Sequence, residues 1–141
     1  MSEAPDVALL SIRPEYADAI LSGSKRVEFR RRPLATSVTH VVIYSTRPEG
    51  RVVGICRVVA QHRASPSELW SEFQHCGGIA RRAFDAYFEG TREAYAIELA
   101  MPRTISPEDG VSLAELGATR PPQSFQYVRD VARGRVLEFA P

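Results

Sequence analysis

The chain is 141 residues long, the size of one domain, and its 44% apolar and 25% charged residues are the balance of an ordinary globular protein. No apolar run approaches the roughly 18 residues that a membrane span needs, and the acidic Met1–Asp6 start lacks the apolar core of a secretory signal. Two cysteines, Cys56 and Cys76, without CxxC spacing argue against a disulfide framework and for a reducing cytoplasm.

Charge is informative once divided along the chain. The formal net charge is +1, but residues 23–63 carry nine cations against two acids, a net of +7, while the segments on either side each carry −3. The middle third therefore predicts an anionic partner that the total conceals. Among 18 cations, 17 are Arg and only Lys25 is Lys. That single amine can lose a proton when desolvated, which a guanidinium cannot.

Val7–Arg13 (VALLSIR) reads as a buried strand. Pro14 in the first turn, Glu15 near the positive end of the dipole, apolar Tyr16, Ala17, Ile20 and Leu21 at helical spacing, and Gly23 as terminator predict a short helix over 14–22. Lys25–Arg32 (KRVEFRRR) alternates as a strand, with Val27 and Phe29 on one face and Glu28, Arg30 and Arg32 on the other. Thr39–Ser45 and Arg51–Gln61 are strands apolar on both faces, joined by the Arg47–Gly50 turn.

Ser65-Pro-Ser-Glu68 is a capping-box start for a helix presenting Leu69, Trp70 and Phe73. Gly77-Gly78 breaks the chain before a second helix over about 79–89. Tyr95–Met101 is a strand. Residues 102–124 form a Pro/Ser/Gly-rich connector with a weak helix at Leu113–Leu116, and Phe125–Val128 and Val136–Phe139 are predicted as closing strands. The order is β-α-β-β-β-α-α-β-loop-β-β. Helices inserted among antiparallel-looking strands, with no repeat or linker, predict a single domain over 1–141 of α+β class: a small mixed β-barrel, closed or half-open, flanked by short helices.

Gly23-Ser-Lys-Arg-Val-Glu-Phe-Arg30, or G-x-K-x-x-E-x-R, is the strongest chemical signal. A helix-to-strand turn beside a curved sheet makes a rim from which side chains reach a cleft. Strict alternation puts Glu28 and Arg30 on one face and Lys25 on the other, so Lys25 joins them only where the turn or a bulge re-aims it. An amine, a carboxylate and a guanidinium together bind a ligand offering donors and acceptors, such as a nucleobase with its phosphate or a carboxylated metabolite. Arg31 and Arg32 extend the motif as phosphate contacts, with Arg13, Arg47, Arg51, Arg57 and Arg63 nearby in sequence or charge. Tyr44 and Tyr127 near strand ends are candidates to stack on or donate to a base; Trp70 reads better as core. Cys56, His62, His75 and Cys76 fit no zinc spacing, and no metal or other cofactor is expected. Cys56, within an apolar strand, is expected to be buried and inert.

Leu9–Tyr16 (LLSIRPEY), Ile20–Lys25 (ILSGSK) and Val27–Arg32 (VEFRRR) resemble the opening of the ASCH domain family, of the PUA-like superfamily. Ala86–Gly90 (AYFEG), Tyr95–Leu99 (YAIEL) and Pro121–Tyr127 (PPQSFQY) extend the resemblance over nearly the whole chain. The resemblance implies a PUA-like barrel whose cleft is lined by the motif and takes RNA, single-stranded nucleic acid or a modified nucleoside. Some ASCH members resemble amidohydrolases that deacetylate N4-acetylcytidine with a Lys, a Thr three residues later and a helical Glu. Here Lys25 matches the Lys, Glu28 replaces the Thr, and the third carboxylate falls near Gln74 or His75, with Glu72 close by. Others are proposed ribonucleases using Lys, Tyr and Ser, for which Lys25, Tyr44 and Ser124 are the counterparts.

The expected function is recognition of RNA or a modified base in a Lys/Glu/Arg-lined cleft of a cytoplasmic protein without a membrane partner. Glu28 accepts from a base amino or imino group. Lys25 and Arg30 hold phosphate or a base carbonyl, and Arg13, Arg31, Arg32, Tyr44, Ser124 and Tyr127 complete the surface. Two alternatives stand beside it. One is a hydrolase, on acylated nucleoside or RNA, with Lys25 and Glu28 catalytic. The other is a sensor of a small metabolite.

Overall fold

The computed structural model describes residues 4–141. Its elements, in chain order, are β1 (Val7–Ile12), α1 (Pro14–Ser22), β2 (Val27–Arg30), β3 (His40–Ser45), β4 (Arg51–Ala64), α2 (Pro66–Phe73), α3 (Arg81–Tyr87), β5 (Ala94–Thr104), β6 (Phe125–Val128) and α4 (Asp130–Leu137). All six strands form one sheet in the order β2-β5-β4-β3-β1-β6. Every pairing is antiparallel except β1 with β3, which run parallel from Val7↔His40 to Ile12↔Ser45. The sheet is therefore mixed. Its parallel pair needs a crossover, which α1 and β2 supply.

Burial on both faces of the central strands follows from their composition. Ala8, Leu10 and Ile12 on one face of β1 join Val41, Ile43, Val53 and Cys56 in a core beneath α1. Val7 and Leu9 on the other face join Val42, Val52 and Ile55, covered by Ile105, Leu116 and Val136 of the C-terminal third. A third cluster packs α2 and α3, through Leu69, Phe73, Phe84 and Phe88, on Val27 and Phe29 of β2 and Ala94 and Ala96 of β5. The two edge strands approach one another: Arg30 of β2 donates to the Ser11 carbonyl at 2.9 Å and to Ser124, just before β6. The sheet thus curls into a half-barrel with Arg30 across its seam, giving the mixed α+β architecture that the sequence predicts.

Helix α1 occupies the predicted span, and Gly23 at φ +87° ends it. The predicted box on α2 is also present. Ser65 Oγ accepts from the Glu68 amide at 3.2 Å, and Glu68 accepts from the Ser65 amide at 3.3 Å. We expect Ser65→Ala to lower the unfolding free energy by about 1 kcal/mol, read as a shifted urea midpoint with unchanged slope.

Four expectations need correction. The predicted strand Val136–Phe139 is instead the end of α4 and the turn beyond it. Val136 is fully buried with Ala132 and Phe139 half-buried beside it, so the buried positions recur at helical rather than alternating spacing. The helix start is weakly marked, by Asp130 in the first turn alone, because Arg129 makes no side-chain cap bond. Leu113–Leu116 forms tight turns with bonds such as Leu116 N to Leu113 O rather than a helix, and a short 3₁₀ helix of the connector lies at Pro107–Asp109, closed by Ser106 and Asp109. β4 continues past Gln61 through polar His62 and Arg63 because β5 pairs with it there, at His62↔Ala96 and Arg63↔Tyr95. Finally, β2 covers Val27–Arg30 only, so Lys25 lies before the strand.

Candidate functional site

Because Lys25 precedes β2, alternation does not govern its direction; the turn does. The Lys25 amide donates to Ala19 O at 3.0 Å, and the Arg26 amide donates to Cys76 O at 2.8 Å. The turn after α1 is thereby fastened to the Cys76–Gly78 segment. Gly77 and Gly78 make that closeness tolerable. A Cβ on Gly77 would stand 2.9 Å from the Phe29 ring, and one on Gly78 (φ +60°) would stand 2.6 Å from Lys25 Cβ. The lysine stem lies along this glycine pair, its amine donating to Gly77 O at 2.5 Å.

The result is a buried charged cluster. Lys25 is 2% exposed and Glu28 8%. Lys25 Nζ is 3.7 Å from Glu28 Oε1 and lies over the Tyr16 and Phe29 rings at 5.4 and 5.3 Å from their centroids. Arg30 grips the other carboxylate oxygen, Oε2, through Nη2 at 2.8 Å and Nε at 3.2 Å. Its Nη2 also reaches Ser11 O, and its Nη1 reaches Ser124 O and Oγ, both at 3.3 Å. All five guanidinium donors are thus engaged within the fold. Arg30 aims and neutralises Glu28. Glu28 Oε1 keeps capacity to accept a further hydrogen bond. Burial pushes the Lys25 amine below its ordinary proton affinity, and the Glu28 charge only partly restores it.

These groups wall a cavity of about 740 Å³ at the open seam. Arg13, Lys25, Glu28, Arg30, Arg31 and Ser124 all line it, as do Tyr16, Phe29, Tyr87 and the small residues Ala83 and Ala86 of α3. Glu28 is the one acid among these lining residues, against four cations, so the wall attracts an anion. Arg13 is exposed, and its guanidinium has no hydrogen bond or ion pair among the described residues. Arg31 is tied to the rim: Nε and Nη2 donate to Tyr87 O at 2.9 and 2.7 Å, and the guanidinium stacks 4.3 Å above the Tyr87 ring centroid.

The remaining candidates lie elsewhere. Arg32 is exposed outside the cavity, and Tyr44 is buried in the core beneath the C-terminal third. Tyr127 lines a neighbouring groove, its Oη accepting from the Ala35 amide at 3.0 Å. Glu72, Gln74 and His75, around the end of α2, are exposed and do not line the cavity. Trp70 packs on Phe84 with ring centroids 5.0 Å apart, a core position. Among the described residues no three His, Cys, Asp or Glu side chains are grouped to hold a metal, and no helix is long and apolar enough to cross a membrane. Cys56 is buried, its thiol pushed up to about 12 by desolvation, which suppresses the reactive thiolate. Sequence reasoning missed Tyr16, Phe29 and Tyr87 as cavity walls and Gly77-Gly78 as the seat of Lys25. The paired glycines were the available signal, since adjacent residues without Cβ mark close backbone approach as well as a break.

The sequence matches the ASCH domain family over residues 10–108. A protein from Zymomonas mobilis named an ASCH domain-containing ribonuclease is 38% identical over 133 residues, 92% of this chain and 90% of that protein. The crystal structure of a serine-to-alanine variant of ZmASCH, from the same organism, superimposes with a TM-score of 0.80 at 34% identity, over 96% of this chain and 98% of that one. A tyrosine-to-phenylalanine variant gives 0.78 at 31%, over 94% and 97%. The N-terminal domain of Staphylothermus marinus McrB shares the fold alone, with a TM-score of 0.56 at 12% identity over 98% of each chain.

Proposed function

The chain belongs to the ASCH domain family, and from that membership and the chemistry of the cavity we propose that it is an RNA-binding protein that takes an unpaired base into the space beside Lys25 and Glu28. The observation that carries this reading is the buried Lys25–Glu28–Arg30 cluster on the wall of a cavity of about 740 Å³. Glu28 Oε1 accepts from a base amino or imino group. The Lys25 amine donates to a base carbonyl or a phosphate oxygen. The rings of Tyr16, Phe29 and Tyr87 offer apolar faces to the base. Arg13 meets the backbone phosphate. Arg30 serves as a positioning residue, because its donors are used on Glu28, Ser11 and Ser124. Such a hollow reads exposed base edges, which single strands and loops present and an intact duplex hides. The chain acts as one ASCH domain, and a reducing cytoplasm suits its two free, buried cysteines.

Anisotropy of a labelled single-stranded RNA across a salt series tests the reading. We expect binding at low salt that weakens as salt rises, and affinity about tenfold lower in Glu28→Gln, in line with about 1–3 kcal/mol for a lost bidentate or charge-assisted base contact. Absence of binding at low salt, or wild-type affinity in both Glu28→Gln and Lys25→Met, overturns it.

RNA cleavage is a second reading, favoured by the 38% identical relative named a ribonuclease. In its neutral form, which burial favours, the Lys25 amine can take the proton of a ribose 2′-hydroxyl as a general base while that oxygen bonds to the adjoining phosphorus and the 5′-oxygen leaves, taking a proton from water. Cleavage of labelled RNA in the presence of a chelator should fall at least about 100-fold in Lys25→Met, the usual size of a general-base contribution. Unchanged cleavage in that variant removes Lys25 from the chemistry.

A further inference from the structure

We propose that a groove adjoining the cavity, lined by Arg120, Gln123, Ser124, Phe125, Gln126 and Tyr127, is a second nucleotide subsite, so that the ligand is a strand of several nucleotides and not a free nucleoside. The inference rests on the reading that RNA enters the first cavity. Gln123 and Ser124 line both spaces, so a chain leaving one enters the other. The groove measures about 680 Å³, comparable to the first cavity.

Its chemistry differs from that of the cavity in an instructive way. The cations of the first wall are mostly tied up internally, but Arg120 is exposed with no hydrogen bond or ion pair among the described residues, and no acid lines the groove. Arg129 is exposed at its border, its guanidinium 6.0 Å from the Tyr127 ring centroid and likewise without an ion pair among the described residues. Arg120, without a partner among the described residues, and Arg129, held only by the Tyr127 ring, suit successive phosphates along an acid-free trough. The half-buried Tyr127 ring is fixed at both ends. Its Oη accepts from the Ala35 amide at 3.0 Å, and its edge meets Phe125, with centroids 5.3 Å apart. A ring fixed in place is a stacking platform that loses little entropy on binding. Gln126 donates to Gly117 O at 3.0 Å, which orients the amide and leaves its oxygen to accept from a base. Pro121 and Pro122, with fixed φ, stiffen the wall above. The last part of the long connector is thereby a strand guide.

Labelled oligouridylates of two, four and eight nucleotides distinguish the two sites. Wild type should bind the octamer about tenfold or more tightly than the dimer, since each stacked base and contacted phosphate adds affinity. Arg120→Ala/Arg129→Ala should weaken the octamer about five- to tenfold, leave the dimer unchanged, and flatten the octamer's log–log salt slope by about 0.7 per arginine removed. Both side chains are exposed, and an unchanged melting temperature certifies the fold. Equal octamer affinity in wild type and double variant, or affinity independent of length, overturns the second subsite. Failure of the dimer to bind, or dimer binding indifferent to Glu28→Gln, overturns the first-cavity reading and this inference with it.

Discussion

Glu28→Leu should lower the unfolding free energy by about 3–5 kcal/mol, the range for breaking a buried ion pair from one side. The cause is what stays behind. The Lys25 amine, on a side chain 2% exposed, keeps Gly77 O as its one hydrogen-bond partner among the described residues, and Arg30 keeps Ser11 and Ser124 but loses its counter-charge. Two cations then share a desolvated space with no anion between them. Lys25→Met/Glu28→Leu should recover about 1–3 kcal/mol relative to additivity, the coupling usual for side chains in one network. Recovery should be incomplete, since Arg30 remains uncompensated. Urea unfolding of the wild type, both single variants and the double variant at neutral pH gives all the values needed, and a double loss equal to the sum of the two single losses would show that Lys25 and Glu28 are not energetically paired.

The same amine makes stability depend on pH, with a definite sign. Burial holds the folded Lys25 amine below its ordinary value of 10.5, overcoming the attraction of Glu28. Between the folded value and 10.5 the unfolded chain binds more proton than the folded one, so stability rises with pH through that interval. Below it the amine is charged in both states, and the folded chain carries the full desolvation cost. Lys25→Met should flatten this alkaline rise. A wild-type curve that instead falls where the Lys25→Met curve is flat would reverse the assignment of burial as the dominant cause.

Local rules reached far into this fold where each signal had one structural meaning. Pro14 and Gly23 bracket α1, and the Ser65–Glu68 box starts α2, because a capped or broken helix end is decided by neighbours in sequence. The two-faced apolar strands announced a sheet covered on both sides. The parallel pairing of β1 with β3 was not legible, since register and direction are set by partners about 33 residues apart. Nor was α4: four residues of mixed Val, Leu, Glu and Phe satisfy either period, and only contact with the core beneath the C-terminal third decides between them. For the candidate site, residue types and spacing picked out Lys25, Glu28 and Arg30, which the structure brings together on one cavity wall. Their division of labour was invisible. That Arg30 spans the seam, and so cannot also offer free donors, depends on β2 meeting the β1–β6 edge. Tyr44 shows the limit of the converse signal: a tyrosine near a strand end suggests a binding surface, whereas an adjacent strand and the C-terminal third largely bury it.

Gly78→Ala should be damaging for the change of a single methyl, and it tests how Lys25 is held. The residue sits at φ +60°, where a side chain costs about 1–2 kcal/mol. The added Cβ would also stand 2.6 Å from Lys25 Cβ, 2.9 Å from Cγ and 3.1 Å from Cδ. These are inner stem atoms, anchored by the Lys25 amide on Ala19 and the Arg26 amide on Cys76, so they cannot swing away as a free tip does. Overpacking of this kind adds about 1–3 kcal/mol, for a total of about 2–5 kcal/mol. Gly90→Ala supplies the contrast, because Gly90 is at φ +77° with nothing within 4 Å of the position of its Cβ. It should show the backbone cost alone, about 1–2 kcal/mol. Displacement of the stem also moves the amine off Gly77 O and out of its enclosure. Lys25 is the only lysine of the chain, so acylation followed by mass spectrometry reads this amine without interference from other side chains. Gly78→Ala should change the Lys25 acylation rate several-fold, whereas Gly90→Ala should leave it at the wild-type value. If the two variants lose the same stability and Lys25 reacts alike in both, the glycine pair does not seat the lysine, and the geometry of the cavity must be sustained by Glu28 and Arg30 alone.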